Sequence, residues 1–220
     1  MSTFILVPGG WHGGWYFQPI AETLRAQGHT AITVTLTGLG DPAGPRTAAT
    51  NLDTHIQDLV SLLDTEDVHD AVLVGHSYGG MVITGAAARA GGRVRRLVYA
   101  DACVPADGDS CYGLVGPAIQ QQFLRGAGAD GLTVAPKPGL DERAVPHPLA
   151  SLVQKIRLEA PPEVEHRDYV YCSRWADPSP FTEVYERLGR DPGWHVHSLP
   201  IGHNVARDAP DELVKILIEA

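Results

Sequence analysis

Ala71-Val72-Leu73-Val74-Gly75-His76-Ser77-Tyr78-Gly79-Gly80 decides how this chain reads. A β-branched apolar run stops at Gly75. A serine follows one residue after His76, and two glycines lead into Met81–Ala88, which has the composition of a helix. This is G-x-S-x-G in the setting that gives it meaning: a strand, a sharp turn and a helix. The turn forces the serine into a strained backbone conformation, and flanking glycines let strand and helix approach closely. The hydroxyl is then held above the sheet edge near the positive end of the helix dipole, a place for a nucleophile. The competing reading is a glycine-rich strand–helix junction with an ordinary capping serine.

Outward from this elbow, strand-like and helix-like segments alternate. Phe4–Val7, Thr30–Leu36, Ala71–Val74, Val94–Ala100, Tyr169–Cys172 and His195–Leu199 read as strands. Pro19–Gln27, Leu52–Leu63, Met81–Ala90 and Asp211–Ile218 read as helices; Leu52, Ile56, Leu59, Val60 and Leu63 recur at helical spacing. Such alternation predicts βαβ units: an α/β fold with a mostly parallel central sheet and helices on both faces. Residues 104–166 break the rhythm. They are rich in Gly and Pro, with two helical candidates, Leu114–Leu124 and Leu149–Leu158. They read as a small lid insertion over the sheet edge within one domain spanning 1–220.

The length, 220 residues, suits one α/β domain, and a 44% hydrophobic content fits a globular chain. A net charge of −9 argues against nucleic acid or an anionic membrane as partner. Met1-Ser2-Thr3 runs straight into an apolar strand without a basic leader, and no apolar window is long enough to span a bilayer, so a cytoplasmic location is expected. The three cysteines, Cys103, Cys111 and Cys172, lack metal-ligand spacing and read as reduced thiols; Cys103 and Cys111 would pair only in an exported protein. No metal or cofactor is expected. A G-x-G-x-x-G dinucleotide reading fails on spacing and on the missing acid after the second strand.

Serine needs a base within reach and a group that orients the base. Among ten histidines, His203 directly follows the last strand in Pro200-Ile201-Gly202-His203-Asn204, at the sheet edge of Ser77. The acid is sought after the strand Tyr169–Cys172, where Asp177 is the nearby carboxylate, or after Val94–Ala100, where Asp101 stands between alanines. Asp101 is preferred, with Asp177, Asp208 or a water-assisted dyad as alternatives. An oxyanion hole needs backbone N–H groups: one from Tyr78, the other from Gly10 or Trp11 in the loop Pro8-Gly9-Gly10-Trp11-His12-Gly13-Gly14-Trp15.

Together, FILVPGGWHGGWYF, LTGLGD at 36–41, LVGHSYGGMV, LVYADACVP at 97–105 and LPIGHNVARDAPDEL at 199–213 resemble the α/β-hydrolase fold. Within it they resemble the branch of EstC-like esterases, plant methylesterases and hydroxynitrile lyases. The resemblance implies an eight-stranded type of sheet shortened at its start, Ser77 as nucleophile, His203 as base, the second oxyanion N–H on Gly10, and His12 as a structural or pocket residue. This chain departs from the family in three places. Pro8-Gly9 replaces the usual His-Gly after the first strand. Arg174-Trp175 stand where the aspartate after the seventh strand is usual; relatives with an L-D-A-F-V-P-like segment support Asp101 instead. Gly9 and Asn204 replace a threonine and a lysine of the lyases, which favours ester hydrolysis over cyanohydrin cleavage.

The function expected is a serine hydrolase, carboxylesterase-like, cleaving a small and fairly apolar ester, lactone or thioester through an acyl-enzyme. Trp11, His12, Trp15, Tyr112 and Phe123 are candidates for the substrate pocket, with ordinary core packing as the alternative for each aromatic. A second reading uses the same pocket without hydrolysis, for a lyase or cyclase step or for binding a small ligand. Ser77 excludes the aspartate-nucleophile chemistry of dehalogenases and epoxide hydrolases. The partner expected is a small-molecule substrate; a homodimer is compatible with this reading.

Overall fold

The structure is a computed structural model of the 220-residue chain and describes residues 1–40, 47, 49–176 and 179–219. Asp41, at the end of the 36–41 motif, and Asp177, the alternative acid, lie outside the described residues. The first half of the chain runs β1 (Thr3–Val7), α1 (Gln18–Ala26), β2 (Thr30–Thr33), α2 (Leu52–Thr65), β3 (Ala71–His76), α3 (Gly79–Arg89) and β4 (Val94–Ala100). The irregular middle holds α4 (Cys111–Leu114), α5 (Pro117–Gly126), β5 (Thr133–Val134), β6 (His147–Pro148) and α6 (Leu149–Val153). The last part is β7 (His166–Cys172), α7 (Thr182–Leu188), β8 (His195–Leu199), α8 (Val205–Asp208) and α9 (Pro210–Ile218).

Six strands form one sheet in the order β2-β1-β3-β4-β7-β8, and each of these neighbours pairs in parallel. A parallel sheet is covered on both faces, so its central strands are apolar throughout rather than alternating; β3 is buried at every position. On one face α2 and α3 bury Ile56, Leu59, Met81 and Val82; on the other α1 and α9 bury Ile20, Leu24, Leu213 and Leu217. Each such side chain contributes on the order of 1.5–3 kcal/mol of transfer free energy. Local signals set the helix starts and contacts. The Asn51 side chain accepts the Thr54 N–H at 3.0 Å while Thr54 Oγ1 accepts the Asn51 N–H at 3.2 Å, a reciprocal cap for α2. At Gly85 an added Cβ would lie 2.2 Å from Ile56 Cδ1, so the glycine is what seats α2 on α3.

Several boundaries differ from expectation. β2 ends at Thr33 rather than Leu36. The helix expected over 114–124 is two pieces, because Gly116 is extended (φ −67°, ψ 168°) and Pro117, which lacks an N–H, can only begin a new helix. The helix expected over 149–158 stops at Val153, where Gln154 turns extended (ψ 133°). The short antiparallel pair β5–β6 and helix α7 were not foreseen.

The register sets the functional geometry. Val7 pairs with Gly75, His76 with Ala100, Ala100 with Val170, and Cys172 with Leu199. The C-terminal ends of neighbouring strands therefore lie within two residues of each other, β7 reaching two residues past β4, and the loops that follow them share one edge. In open parallel sheets this is the edge at which ligands bind.

Candidate active site

Five non-glycine residues have left-handed backbones among the described residues, and three of them meet at this edge: Trp11 (φ 68°), Ser77 (φ 53°) and Asp101 (φ 48°). Such conformations are costly for side-chain-bearing residues and persist only where the surroundings over-determine them. At the elbow the surroundings are glycines. A Cβ at Gly79 would meet Val7 O at 2.6 Å, and one at Gly80 would meet Cys103 O at 2.1 Å. The Ser77 carbonyl accepts the N–H of Gly80 at 3.2 Å and of Cys103 at 3.1 Å, which locks the turn to the chain leaving β4.

Ser77 and His203 line one cavity. His203 Nδ1–H donates to Asp101 Oδ2 at 2.6 Å, and Asp101 Oδ1 accepts the Cys172 N–H at 3.1 Å. Asp101 is fully buried. Burial pushes its carboxyl above the usual range, with the Cys172 amide opposing the shift. Burial pulls the His203 imidazole below its usual value, and Lys137 and His12 act in the same direction. The imidazole is thus kept neutral, the form able to take a proton from a hydroxyl, and the bond at Nδ1 leaves Nε2 as the basic nitrogen. No hydrogen bond joins Ser77 Oγ to the ring among the described residues; such contacts commonly tighten only when substrate is bound. Two further rings hold His203. Trp175 stacks on it at 3.8 Å and 14°, and the buried His76 donates Nε2–H to the His203 carbonyl at 2.8 Å.

The N–H groups of Gly10 and Tyr78 have no protein acceptor among the described residues and belong to loops that border the cavity. Trp11, the other candidate, spends its N–H on His147 Nδ1 at 3.2 Å. Of the pocket candidates, Trp11, His12 and Phe123 line the cavity. Trp15 lines instead the adjoining outer cleft, where the Arg143 guanidinium lies 4.1 Å over its ring. Tyr112 is not among the residues lining this cavity; its ring packs beside Phe123, which does line it, at 6.4 Å. Lys137, Trp175 and Phe181 line the cavity and were not foreseen. Cys103 and Cys111 also reach it, as free thiols 3.8 Å apart. The inner chamber is small, about 70 Å³, with mostly apolar walls, and it shares His12, Lys137 and Trp175 as lining with an adjoining wider cleft of about 550 Å³.

Comparisons with known proteins agree on the kind of molecule this resembles. The model of the alpha/beta hydrolase family matches residues 4–216. A carbendazim hydrolyzing esterase from Nocardioides sp. (strain SG-4G) is 38% identical, over 99% of this chain and 98% of its own length. Pheophorbidase from Raphanus sativus is 33% identical over 58% of this chain and 51% of its own. Among solved structures, an extracellular alpha/beta-hydrolase from a Paenibacillus species superposes with a TM-score of 0.83 at 21% identity, covering 100% of this chain and 99% of that one; the likeness is one of fold.

Proposed function

The chain belongs to the alpha/beta hydrolase family and is an enzyme of the esterase type, and from that premise we propose that it is a serine hydrolase acting through Ser77, His203 and Asp101. The observation that carries the proposal is the buried Asp101 carboxylate 2.6 Å from His203 Nδ1, on a ring that shares its cavity with the strained Ser77. In this reading His203 Nε2 takes the Ser77 proton as Oγ attacks the substrate carbonyl. The negative charge that develops on the carbonyl oxygen rests on the Gly10 and Tyr78 N–H groups. His203 returns the proton to the leaving alcohol or thiol, and water admitted to the same position releases the acyl group by the reverse sequence. Asp101 holds the imidazole in the productive tautomer throughout.

The substrate class is a small, fairly apolar ester, lactone or thioester. Support comes from the inner chamber, whose volume of about 70 Å³ and apolar lining by Phe123, Val115, Ile119 and Leu152 suit a short acyl group. The leaving group faces the wider, more polar cleft. The whole chain acts as one domain, and the part of the 104–166 insertion that carries Cys111, Val115, Ile119, Phe123, Lys137 and Leu152 covers the site as its lid. Hydrolysis of p-nitrophenyl acetate with an acyl-enzyme burst, and labelling of Ser77 by a fluorophosphonate, test this. Both are expected for the wild type and lost in Ser77→Ala. A wild type that neither turns over the ester nor takes the label contradicts the proposal.

A further inference from the structure

The peptide plane between Gly10 and Trp11 is gripped at both ends by imidazoles. Its carbonyl, Gly10 O, accepts His12 Nδ1–H at 2.6 Å, and its N–H, that of Trp11, donates to His147 Nδ1 at 3.2 Å. This plane directly follows the Gly10 N–H assigned above to the oxyanion hole, so fixing it restrains the Gly10 φ/ψ through which that N–H is aimed. His12 comes from the same loop. His147 comes from β6, 136 residues away in the chain.

His147 is fully buried and its own geometry is determined. The Ser151 hydroxyl donates to Pro148 O at 2.8 Å, so its oxygen must accept from His147 Nε2–H, also at 2.8 Å. Nδ1 is then left as an acceptor, which is what the Trp11 N–H requires. The ring stands edge-on to Tyr78 at 4.8 Å and 77°, and Tyr78 supplies the other oxyanion N–H in the proposed mechanism. Neighbouring residues of the same segment complete the hold on Trp11. Its indole Nε1–H donates to Val134 O at 2.9 Å, and its carbonyl accepts the Val145 N–H at 3.0 Å. Three hydrogen bonds from residues 134–147 thus restrain a tryptophan whose backbone is left-handed (φ 68°).

We propose that His147 is a positioning residue of the oxyanion hole: through the Trp11 N–H it orients the Gly10 N–H toward the developing oxyanion, and it makes the hole depend on the 133–153 segment being seated. This rests on the serine-hydrolase reading. Loss of an entire oxyanion donor slows acyl transfer about 10²–10³-fold, so a misaimed donor should cost about 10- to 100-fold. The loss should fall on kcat, because the ground-state ester does not use the hole.

The test compares His147→Phe, His147→Asn and Ser151→Ala in the full chain, with p-nitrophenyl acetate as substrate and a trifluoromethyl ketone as mimic of the tetrahedral oxyanion. For His147→Phe, which keeps the ring and loses both nitrogens, kcat is expected to fall about 10- to 100-fold with KM within about 3-fold, and the ketone Ki to rise by the same factor as kcat falls. Asn places Oδ1 where Nδ1 was, so His147→Asn is expected to recover most of the rate. If His147→Phe does not fold, the other two decide. Ser151→Ala with reduced kcat and unchanged KM, beside a His147→Asn that retains most of the activity, supports the inference. Equal rates for Phe and Asn, or a loss confined to KM, or Ser151→Ala at full rate with His147→Asn inactive, overturns it. A wild type inert toward the ester and unlabelled at Ser77 is a separate result: it defeats the serine-hydrolase reading and takes this inference with it.

Discussion

Asp101 reaches His203 across the end of an intervening strand. Asp101 follows β4 and His203 follows β8, with β7 between them, yet Oδ2 lies 2.6 Å from the imidazole Nδ1. The bridge works because β7 runs two residues past the Ala100–Val170 pair that ends β4, so that the Cys172 N–H at its tip binds the other carboxylate oxygen. In the proposed triad a carboxylate at the tip of β7 is therefore not needed to orient His203. That position is free for the segment carrying Trp175, which stacks on the same ring.

The stack makes the first prediction. An aromatic pair of this kind contributes about 1 kcal/mol, more when the imidazole carries charge in the transition state. Trp175→Ala is expected to lower kcat for p-nitrophenyl acetate about 3- to 10-fold, and Trp175→Phe to restore most of it. Steady-state kinetics of the two variants check this; equal rates for Ala and Phe would mean the ring face is not felt by His203.

A second prediction concerns the elbow. The methyl of Gly80→Ala would fall 2.1 Å from the Cys103 carbonyl oxygen, a rigid backbone atom, so strand, turn or helix must shift. Overpacking of this kind costs about 1–3 kcal/mol or more. Gly189→Ala serves as control: its backbone is right-handed (φ −64°) and the added methyl meets nothing closer than 3.4 Å. Urea unfolding is expected to show Gly80→Ala destabilised by about 2 kcal/mol or more and Gly189→Ala within about 0.5 kcal/mol of wild type.

Much of this arrangement was legible in the chain. The elbow, His203 and Asp101 could be singled out because each sits at the end of an apolar strand, where periodicity marks the edge and the motif marks the chemistry. The resemblance to a known fold added Gly10. What stayed hidden depends on long-range geometry. Trp175 was visible only as a residue occupying an expected acid's place, because its stacking is created by the turn after β7. His147 lies in a Gly- and Pro-rich stretch with no hydrophobic period, so nothing local announces that it reaches back to Trp11. Tyr112 is a pocket candidate from its type alone, and the four-residue α4 holds too little pattern to show which of its side chains faces the cavity.

A third prediction follows from the buried histidines. Burial lowers the pKa of His55, His76 and His147, and each has a folded-state value below that of the unfolded chain. Between those values the unfolded chain binds more protons, so stability rises with pH and is lost on acidification through the unfolded value near 6.5. Each histidine contributes a slope of up to about 1.4 kcal/mol per pH unit below that point. The unfolding free energy is expected to be lower at pH 5.5 than at pH 7.5, with the Asp101 carboxyl, raised by burial, offsetting part of the loss because it favours the folded state as pH falls. Equal stability at the two pH values, or greater stability at pH 5.5, would contradict this expectation.

The most direct measurement is kcat for p-nitrophenyl acetate in Asp101→Asn beside Asp177→Asn. Removing the orienting carboxylate of such a triad leaves binding intact and costs on the order of 10⁴ in kcat. The account expects a loss of that order in Asp101→Asn with KM little changed, and near-wild-type turnover in Asp177→Asn. An Asp101→Asn enzyme within 10-fold of wild type, with Asp177→Asn inactive, would contradict it.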